Sequence, residues 1–141
     1  MKELKQKFLI IKLSSIGDIV HALPFLRTLR TNYPKAYIAW MIEERFQDLV
    51  KLNSDLDEVI PVRIKHWRKN LSLKSWNEIN LIKNLLKDRK FDWTFDLQGL
   101  IKTGFIALMI GAPNRAGFHR KNCREKINAW FNNRHSKYIS T

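Results

Sequence analysis

The stretch that decides the fold is Phe8-Leu9-Ile10-Ile11, followed directly by Lys12-Leu13-Ser14-Ser15-Ile16-Gly17-Asp18. Its four consecutive apolar residues predict a short strand that is buried on both faces, as in a parallel sheet. Apolar residues then recur at helical spacing, at positions 19, 23, 26 and 29. Pro24 lies inside this pattern and predicts that the helix kinks or restarts there. The polar loop therefore joins a buried strand to a helix.

Strands and helices alternate outward from this stretch. Further strands are predicted over 36–42, 58–62, 92–97 and 114–118, and further helices over 44–52, 75–86, 101–110 and 122–131. Ser75 and Glu78 match a capping box at the start of one helix, and residues 63–74 before it form a basic connector. Pro61 cannot donate to a ladder, which predicts that its strand lies at a sheet edge. The alternation predicts an α/β, Rossmann-like three-layer fold with a mostly parallel sheet, and we expect residues 1–141 to form one domain.

The charge balance is strongly basic. Lys and Arg number 26 against 13 Asp and Glu, which gives a formal net charge of +13. Such a surplus predicts partners rich in phosphate, among which are nucleic acid, anionic lipid headgroups and phosphorylated sugars. The single cysteine, Cys123, excludes an intramolecular disulfide and favours a cytoplasmic setting. The apolar run 105–112 is too short to cross a bilayer, so we expect a soluble protein or one that lies on a membrane surface.

Two polar loops follow predicted strands at the position where open α/β sheets bind ligands. The first is the loop 12–18, and the second is Asp96-Leu97-Gln98-Gly99. In a doubly wound sheet of the common order, the two preceding strands are neighbours. We therefore expect both loops to meet over one crevice.

The first loop offers groups suited to an anionic ligand. Gly17 allows close approach of a ligand to the backbone, and Ser14 and Ser15 supply donors near a helix N-terminus. Asp18 is placed to accept a proton from a substrate hydroxyl, and the structural alternative is that Asp18 is only the helix N-cap. The loop has one glycine and no Gly-x-x-x-x-Gly-Lys spacing, which argues against a P-loop or a dinucleotide fingerprint.

A second basic feature is the cluster over 63–69, which contains Arg63, Lys65, His66, Trp67, Arg68 and Lys69. It is either a binding surface for phosphate or carboxylate groups or a solvated loop. Its tryptophan either anchors the loop or stacks on a ligand. Residues 101–141 hold eight Lys and Arg against Glu125 alone, as a second anion surface or an exposed tail. The four histidines show no metal spacing, and His21 is predicted to be packed within its helix.

Taken in order, these motifs resemble the lipopolysaccharide heptosyltransferase I family, of glycosyltransferase family 9 and the GT-B type. The resemblance covers nearly the whole chain in order and spacing. The stretches that carry it are 12–18 followed by 21–24, then 43–44, 60–62, 65–69, 96–102, 124–125 and 133–135.

The resemblance implies one half of a two-domain, inverting glycosyltransferase that needs no metal and no cofactor. Its N-terminal domain would hold the acceptor, Kdo of lipid A, and a C-terminal domain would hold the donor, ADP-heptose. Asp18 matches the catalytic base of the family. Residues expected at the acceptor are Ser14, Ser15, Gly17, Lys65, Arg68, Lys69, Gln98 and Arg124.

The 141 residues contain no glycine-rich nucleotide loop after the acceptor domain, so we expect this chain alone to be inactive. The expected location is the cytoplasm, with possible peripheral contact at the inner membrane. One alternative is a basic nucleic-acid-binding α/β domain, which would show a steep dependence of binding on salt. Another alternative is a nonfunctional remnant that exposes the face its partner domain would cover.

Overall fold

The computed structural model describes residues 5–98, 101–117 and 134–135. Strands and helices alternate through these ranges. The elements are β1 (Lys7–Ile11), α1 (Ile16–Asn32), β2 (Tyr37–Glu43), a 3-10 helix (Glu44–Leu49), β3 (Glu58–Val62), α2 (Ile64–Lys69), α3 (Leu73–Arg89), β4 (Trp93–Asp96), α4 (Ile101–Ile110), β5 (Asn114–Gly117) and β6 (Arg134–His135).

The strands form one parallel sheet in the order β3-β2-β1-β4-β5-β6. β1 lies at its centre, where Phe8 pairs with Ile38 of β2 on one side and with Trp93 of β4 on the other. The predicted fold class is confirmed, as is the prediction that the first and fourth strands are neighbours. β3 lies at an edge of the sheet, as Pro61 predicts.

The core lies on both faces of this sheet. Because side chains alternate along a strand, β1 sends Leu9 and Ile11 to one face and Phe8 and Ile10 to the other. The first face is covered by α2, α3 and α4, and the second by α1. Each large apolar side chain that is fully buried here contributes roughly 1.5–3 kcal/mol. This two-sided burial explains why the sequence of β1 is apolar without interruption.

The start of α3 differs from its prediction. The helix begins at Leu73, and Ser72 is the N-cap, whose Oγ accepts a hydrogen bond from the Ser75 backbone N–H at 3.2 Å. The Ser75 hydroxyl instead donates to the carbonyl of Asn70 at 2.6 Å. The capping box predicted at Ser75 and Glu78 is therefore wrong, because an earlier serine caps the helix.

Three smaller predictions also need correction. α1 is one helix through Pro24, so the alternative that it restarts there is wrong; Pro24 lies on its exposed side, where the carbonyl that loses its donor can meet water. His21 is exposed rather than packed, and the connector 63–74 contains the short helix α2. The helix predicted over 122–131 lies outside the described residues.

Candidate functional site

The carboxyl ends of β1 and β4 are joined by a buried glutamine. Gln98 is 2% exposed, and its Oε1 accepts hydrogen bonds from the backbone N–H groups of Leu13 at 3.2 Å and Ser14 at 3.4 Å. Lys12 Nζ reaches back to donate to the carbonyl of Leu97 at 3.2 Å. The two loops that were predicted to meet therefore do so, and side chains of each loop hold the other.

Further buried polar groups support this junction. Asp96 is fully buried, and its Oδ1 accepts from the backbone N–H of Gln98 at 3.0 Å. On the other side, the Trp40 indole N–H donates to the carbonyl of Lys12 at 3.0 Å. Hydrogen bonds in such a low-dielectric setting are strong and costly to break. These bonds fix the path of residues 12–18 after β1, called the β1 loop below, and Gln98 is the central hydrogen-bond acceptor.

Asp18 lies on the exposed side of this loop, in the first turn of α1. Ser15 is the N-cap of α1 and Asp18 is three residues further on, so the alternative that Asp18 is the N-cap is wrong. Asp18 Oδ2 accepts from the Ser15 hydroxyl at 3.1 Å and from the Ser15 backbone N–H at 3.5 Å. The helix dipole favours the ionised carboxylate at this position. The Asp18 carboxylate is therefore oriented by Ser15, next to a loop whose backbone is held by Gln98.

The backbone beside this carboxylate is open. Gly17 is exposed, and a Cβ atom at this position would meet no atom of the described residues within 4 Å. Packing within that part of the chain does not require glycine here. The open backbone allows a ligand to approach the amide groups at the start of α1.

The basic cluster forms α2, which is fixed by its tryptophan. Trp67 is 8% exposed, and its indole N–H donates to Glu78 Oε2 at 2.8 Å. Arg63 lies between two carboxylates, 3.8 Å from Glu78 Oε1 and 3.2 Å from Glu44 Oε2. The Trp67 hydrogen bond, helped by Arg63, lowers the pKa of Glu78. Of the two roles open to Trp67, the structure shows the anchor.

The anchored helix presents three cations to solvent. Lys65, Arg68 and Lys69 are exposed, and none of them forms an ion pair with the residues that the structure describes. They lie at the same edge of the sheet as the β1 loop, because α2 follows the carboxyl end of parallel β3. No hydrogen bond joins them to Ser14, Gln98 or Asp18 within the described ranges. Arg124 lies outside those ranges.

Lys12 has a structural role that its position in the sequence did not predict. This side chain is 7% exposed and bridges to the neighbouring loop, although a lysine after a strand usually indicates a solvated position. One feature of the sequence could have indicated this role. Lys12 directly follows β1 and Asp96 is the last residue of β4, and these two strands are neighbours in the sheet. Within the described residues, no group of three or more His, Cys, Asp or Glu side chains is arranged to hold a metal ion.

The sheet order and the crevice at its carboxyl edge define this chain as a Rossmann-like α/β domain. The structure of the Escherichia coli heptosyltransferase WaaC with ADP-2-deoxy-2-fluoro heptose superimposes with a TM-score of 0.88 at 29% identity, over 96% of this chain and 43% of that one. A glycosyl transferase family 9 structure from Veillonella parvula shares the fold, with a TM-score of 0.76 at 23% identity. No family model matches the chain.

The curated relatives are lipopolysaccharide heptosyltransferases. Lipopolysaccharide heptosyltransferase 1 of Pseudomonas aeruginosa is 34% identical over 126 residues, which are 89% of this chain and 36% of that protein. The enzyme of the same name from Escherichia coli K12 is 30% identical over 129 residues, 91% of this chain and 40% of that protein. The resemblance found in the sequence is thus confirmed, and this chain spans about two fifths of the length of these relatives. The nucleic-acid and remnant alternatives are not favoured.

Proposed function

We propose that this chain is the acceptor-binding half of a heptosyltransferase of lipopolysaccharide inner-core biosynthesis, which transfers heptose from ADP-heptose to Kdo of lipid A. The observation that carries the proposal is the β1 loop, which Gln98 clamps and which presents Asp18 at the start of α1. The similarity to lipopolysaccharide heptosyltransferase 1 supports the same function. The chain spans about two fifths of the length of those relatives, so the proposal concerns the part of the enzyme that binds the acceptor.

In the proposed reaction, Asp18 acts as the general base. Its carboxylate accepts the proton of a Kdo hydroxyl while that oxygen forms a bond to the anomeric carbon of heptose. The bond from this carbon to the ADP oxygen breaks, and ADP leaves with the electron pair. A single displacement of this kind inverts the sugar centre and needs no metal. The Ser15 hydroxyl, 3.1 Å from Oδ2, orients the carboxylate for proton transfer.

The exposed cations of α2 suit the charge of the proposed acceptor. Kdo carries a carboxylate and lipid A carries phosphates, and Lys65, Arg68 and Lys69 have no ion-pair partner within the described residues. We assign Ser14, Ser15 and Gly17 to the acceptor through their position at the start of α1. Arg124 completes the proposed set. For Gln98, whose Oε1 is bound to the loop, we propose a positioning role.

The proposed acceptor is a lipid, so we place the enzyme on the cytoplasmic side of the inner membrane as a peripheral protein. In the described part of the chain, no helix is long and apolar enough to span a membrane. An excess of cations attracts a protein to anionic headgroups, and each cation near the surface contributes about 1 kcal/mol. The formal net charge of +13 suits this contact.

The role of Asp18 is tested in a chimera in which this chain replaces the matching residues of the Escherichia coli relative. Asp18→Asn should lower kcat at least roughly a hundredfold, as expected for a general base, while the affinity for the Kdo acceptor is kept. Asp88→Asn is the matched control, because Asp88 is an exposed aspartate in the last turns of α3. Full turnover by the Asp18→Asn chimera would exclude Asp18 as the base.

A further inference from the structure

The connection between α2 and α3 exposes three large apolar side chains within six residues. Leu71 is 89% exposed, Leu73 is 77% exposed and Trp76 is 62% exposed. Single exposed apolar residues are normal on a soluble protein, but a contiguous group indicates an interaction surface. The fold gives no reason for this exposure, since Trp67 and Ser72 already anchor α2 and cap α3.

Exposed cations flank these apolar side chains along the chain. Lys65, Arg68 and Lys69 precede them, and Lys74 lies among them, all exposed. The helix dipole disfavours a lysine in the first turn of α3, and the charge of Lys74 is offset only in part by Glu78, one turn further along the helix. The nearest carboxylate, Glu78, is bound to Trp67 and faces Arg63. The surface around the apolar group is therefore net positive.

An apolar groove continues this surface into the protein. It lies between α2, α3 and α4, has a volume of about 530 Å³, and includes Trp67, Trp76, Ile79, Met109 and Lys83 in its lining. Trp76 belongs both to the groove and to the exposed group. An aromatic side chain at such a boundary is typical of proteins that contact the interface of a bilayer, where one part of the ring is wet and the other is apolar.

We propose that the α2–α3 surface, defined as residues 65–76, docks on an anionic lipid bilayer. Leu71, Leu73 and Trp76 insert at the level of the headgroups and upper acyl chains, and the surrounding cations contact lipid phosphates. The inference rests on the proposed function in one respect, the need for a lipid-borne acceptor, and it names the part of the chain that makes the membrane contact. Aliphatic side chains such as Leu71 and Leu73 gain from contact with acyl chains, whereas nucleic acids are bound through aromatic side chains that stack on the bases, so the two leucines favour a bilayer.

The position of this surface suits the proposed acceptor site. β3 runs parallel to β1, and α3 returns the chain to the start of β4, so the α2–α3 connection lies at the carboxyl edge of the sheet. The β1 loop and Asp18 lie at that same edge. Docking through residues 65–76 therefore brings the edge that carries the site toward the headgroups.

The test is co-sedimentation of the chain with vesicles of phosphatidylcholine and phosphatidylglycerol, which contain neither lipid A nor Kdo. Leu71→Ser should lower the partition coefficient several-fold, and the triple variant Leu71→Ser/Leu73→Ser/Trp76→Ser should lower it by roughly a hundredfold. Leu52→Ser is the matched control, because Leu52 is also 89% exposed but follows the 3-10 helix elsewhere on the surface. We expect its partition coefficient to equal that of the unmodified chain. Circular dichroism verifies that each variant is folded.

Two readouts separate a bilayer from other partners. Trp fluorescence should shift to the blue on addition of the anionic vesicles, and Trp76→Phe should remove most of that shift. Glycerol phosphate should not compete, whereas competition would indicate a site for a free phosphate group. Three results would each overturn the proposal. The first is a loss of vesicle binding in Leu52→Ser equal to that in Leu71→Ser, and the second is no binding of the unmodified chain to anionic vesicles. The third is self-association that Leu71→Ser abolishes. Because the vesicles lack Kdo, failure here leaves the acceptor-binding proposal standing, and failure of acceptor binding leaves the membrane result intact.

Discussion

The β1 loop and α2 lie at the same edge of the sheet, yet they are built in opposite ways. The loop is held by buried polar groups, with Gln98 2% exposed and accepting two backbone hydrogen bonds. α2 is held by one buried tryptophan, and its cations extend into solvent. A clamped loop fixes one geometry, as proton transfer at Asp18 would require. Exposed cations attract an anionic ligand over a distance without fixing its position, and salt weakens that attraction.

The largest effect is expected for the anchor of α2. Trp67→Ala should lower the free energy of unfolding by about 3–5 kcal/mol, because it removes a buried indole and leaves Glu78 without its donor. Trp76→Ala is the control and should change stability by less than about 0.5 kcal/mol, since Trp76 is 62% exposed. Urea denaturation measures both. Equal losses in the two variants would contradict the assignment of Trp67 as the anchor.

Gln98 should be the next most sensitive position. Gln98→Met keeps the volume but leaves the N–H groups of Leu13 and Ser14 without an acceptor, at a cost of about 1–3 kcal/mol. Gln6→Met, at an exposed position before β1, should be nearly neutral. Hydrogen exchange of the Leu13 and Ser14 amides in the chain that carries Gln98→Met should become faster. Unchanged exchange at these amides would show that Gln98 does not position the loop.

The cations of α2 should affect binding rather than stability. Lys65→Gln/Arg68→Gln/Lys69→Gln should weaken the binding of Kdo-bearing lipid A by roughly tenfold or more and reduce its salt dependence, because charge-assisted hydrogen bonds to the ligand are lost. The control is the triple variant Lys5→Gln/Lys87→Gln/Lys90→Gln. It removes the same amount of positive charge near the amino ends of the strands, at the opposite edge of the sheet. If both triples weaken binding equally, net charge rather than α2 governs affinity.

The smallest effect is a pH dependence at β3. The Arg89 hydrogen bond, with Arg89 Nη2 2.8 Å from Glu58 Oε2, lowers the pKa of Glu58. A lowered folded-state pKa adds stability above the unfolded value of about 4.3, and this stability is lost as pH falls through the folded pKa. At pH 7 the free energy of unfolding of the unmodified chain should exceed that of the Glu58→Gln variant by roughly 0.5–1 kcal/mol. This difference should vanish in acid. A difference in the free energy of unfolding that does not shrink as pH falls would contradict this role.

The sequence was sufficient for the parts of the fold that depend on pattern. The apolar run at Phe8 to Ile11 predicted a central strand, and Pro61 predicted an edge strand, because burial on two faces and a missing donor are properties of the residues themselves. The start of α3 was not predictable in this way. Ser72 and Ser75 are both capable N-caps, and only the packing of the preceding segment decides between them.

The site was predictable in location but not in detail. The polar residues that follow two neighbouring strands indicated the crevice, and the order of the sheet brings them together. Side-chain direction cannot be read from the sequence, which predicted Gln98 at the acceptor but did not predict that its Oε1 accepts hydrogen bonds from the loop backbone. For the same reason Trp67 was left between two roles until its burial was known.

A titration is the most direct test of the proposal that this chain binds the acceptor of a heptosyltransferase. Lipid A with Kdo and lipid A without Kdo are titrated separately into the chain at physiological salt, in detergent and with an unrelated oligonucleotide as competitor. We expect saturable binding that survives the oligonucleotide and is clearly tighter for the Kdo-bearing lipid. Equal affinity for the two lipids, or binding that the oligonucleotide abolishes, would contradict it.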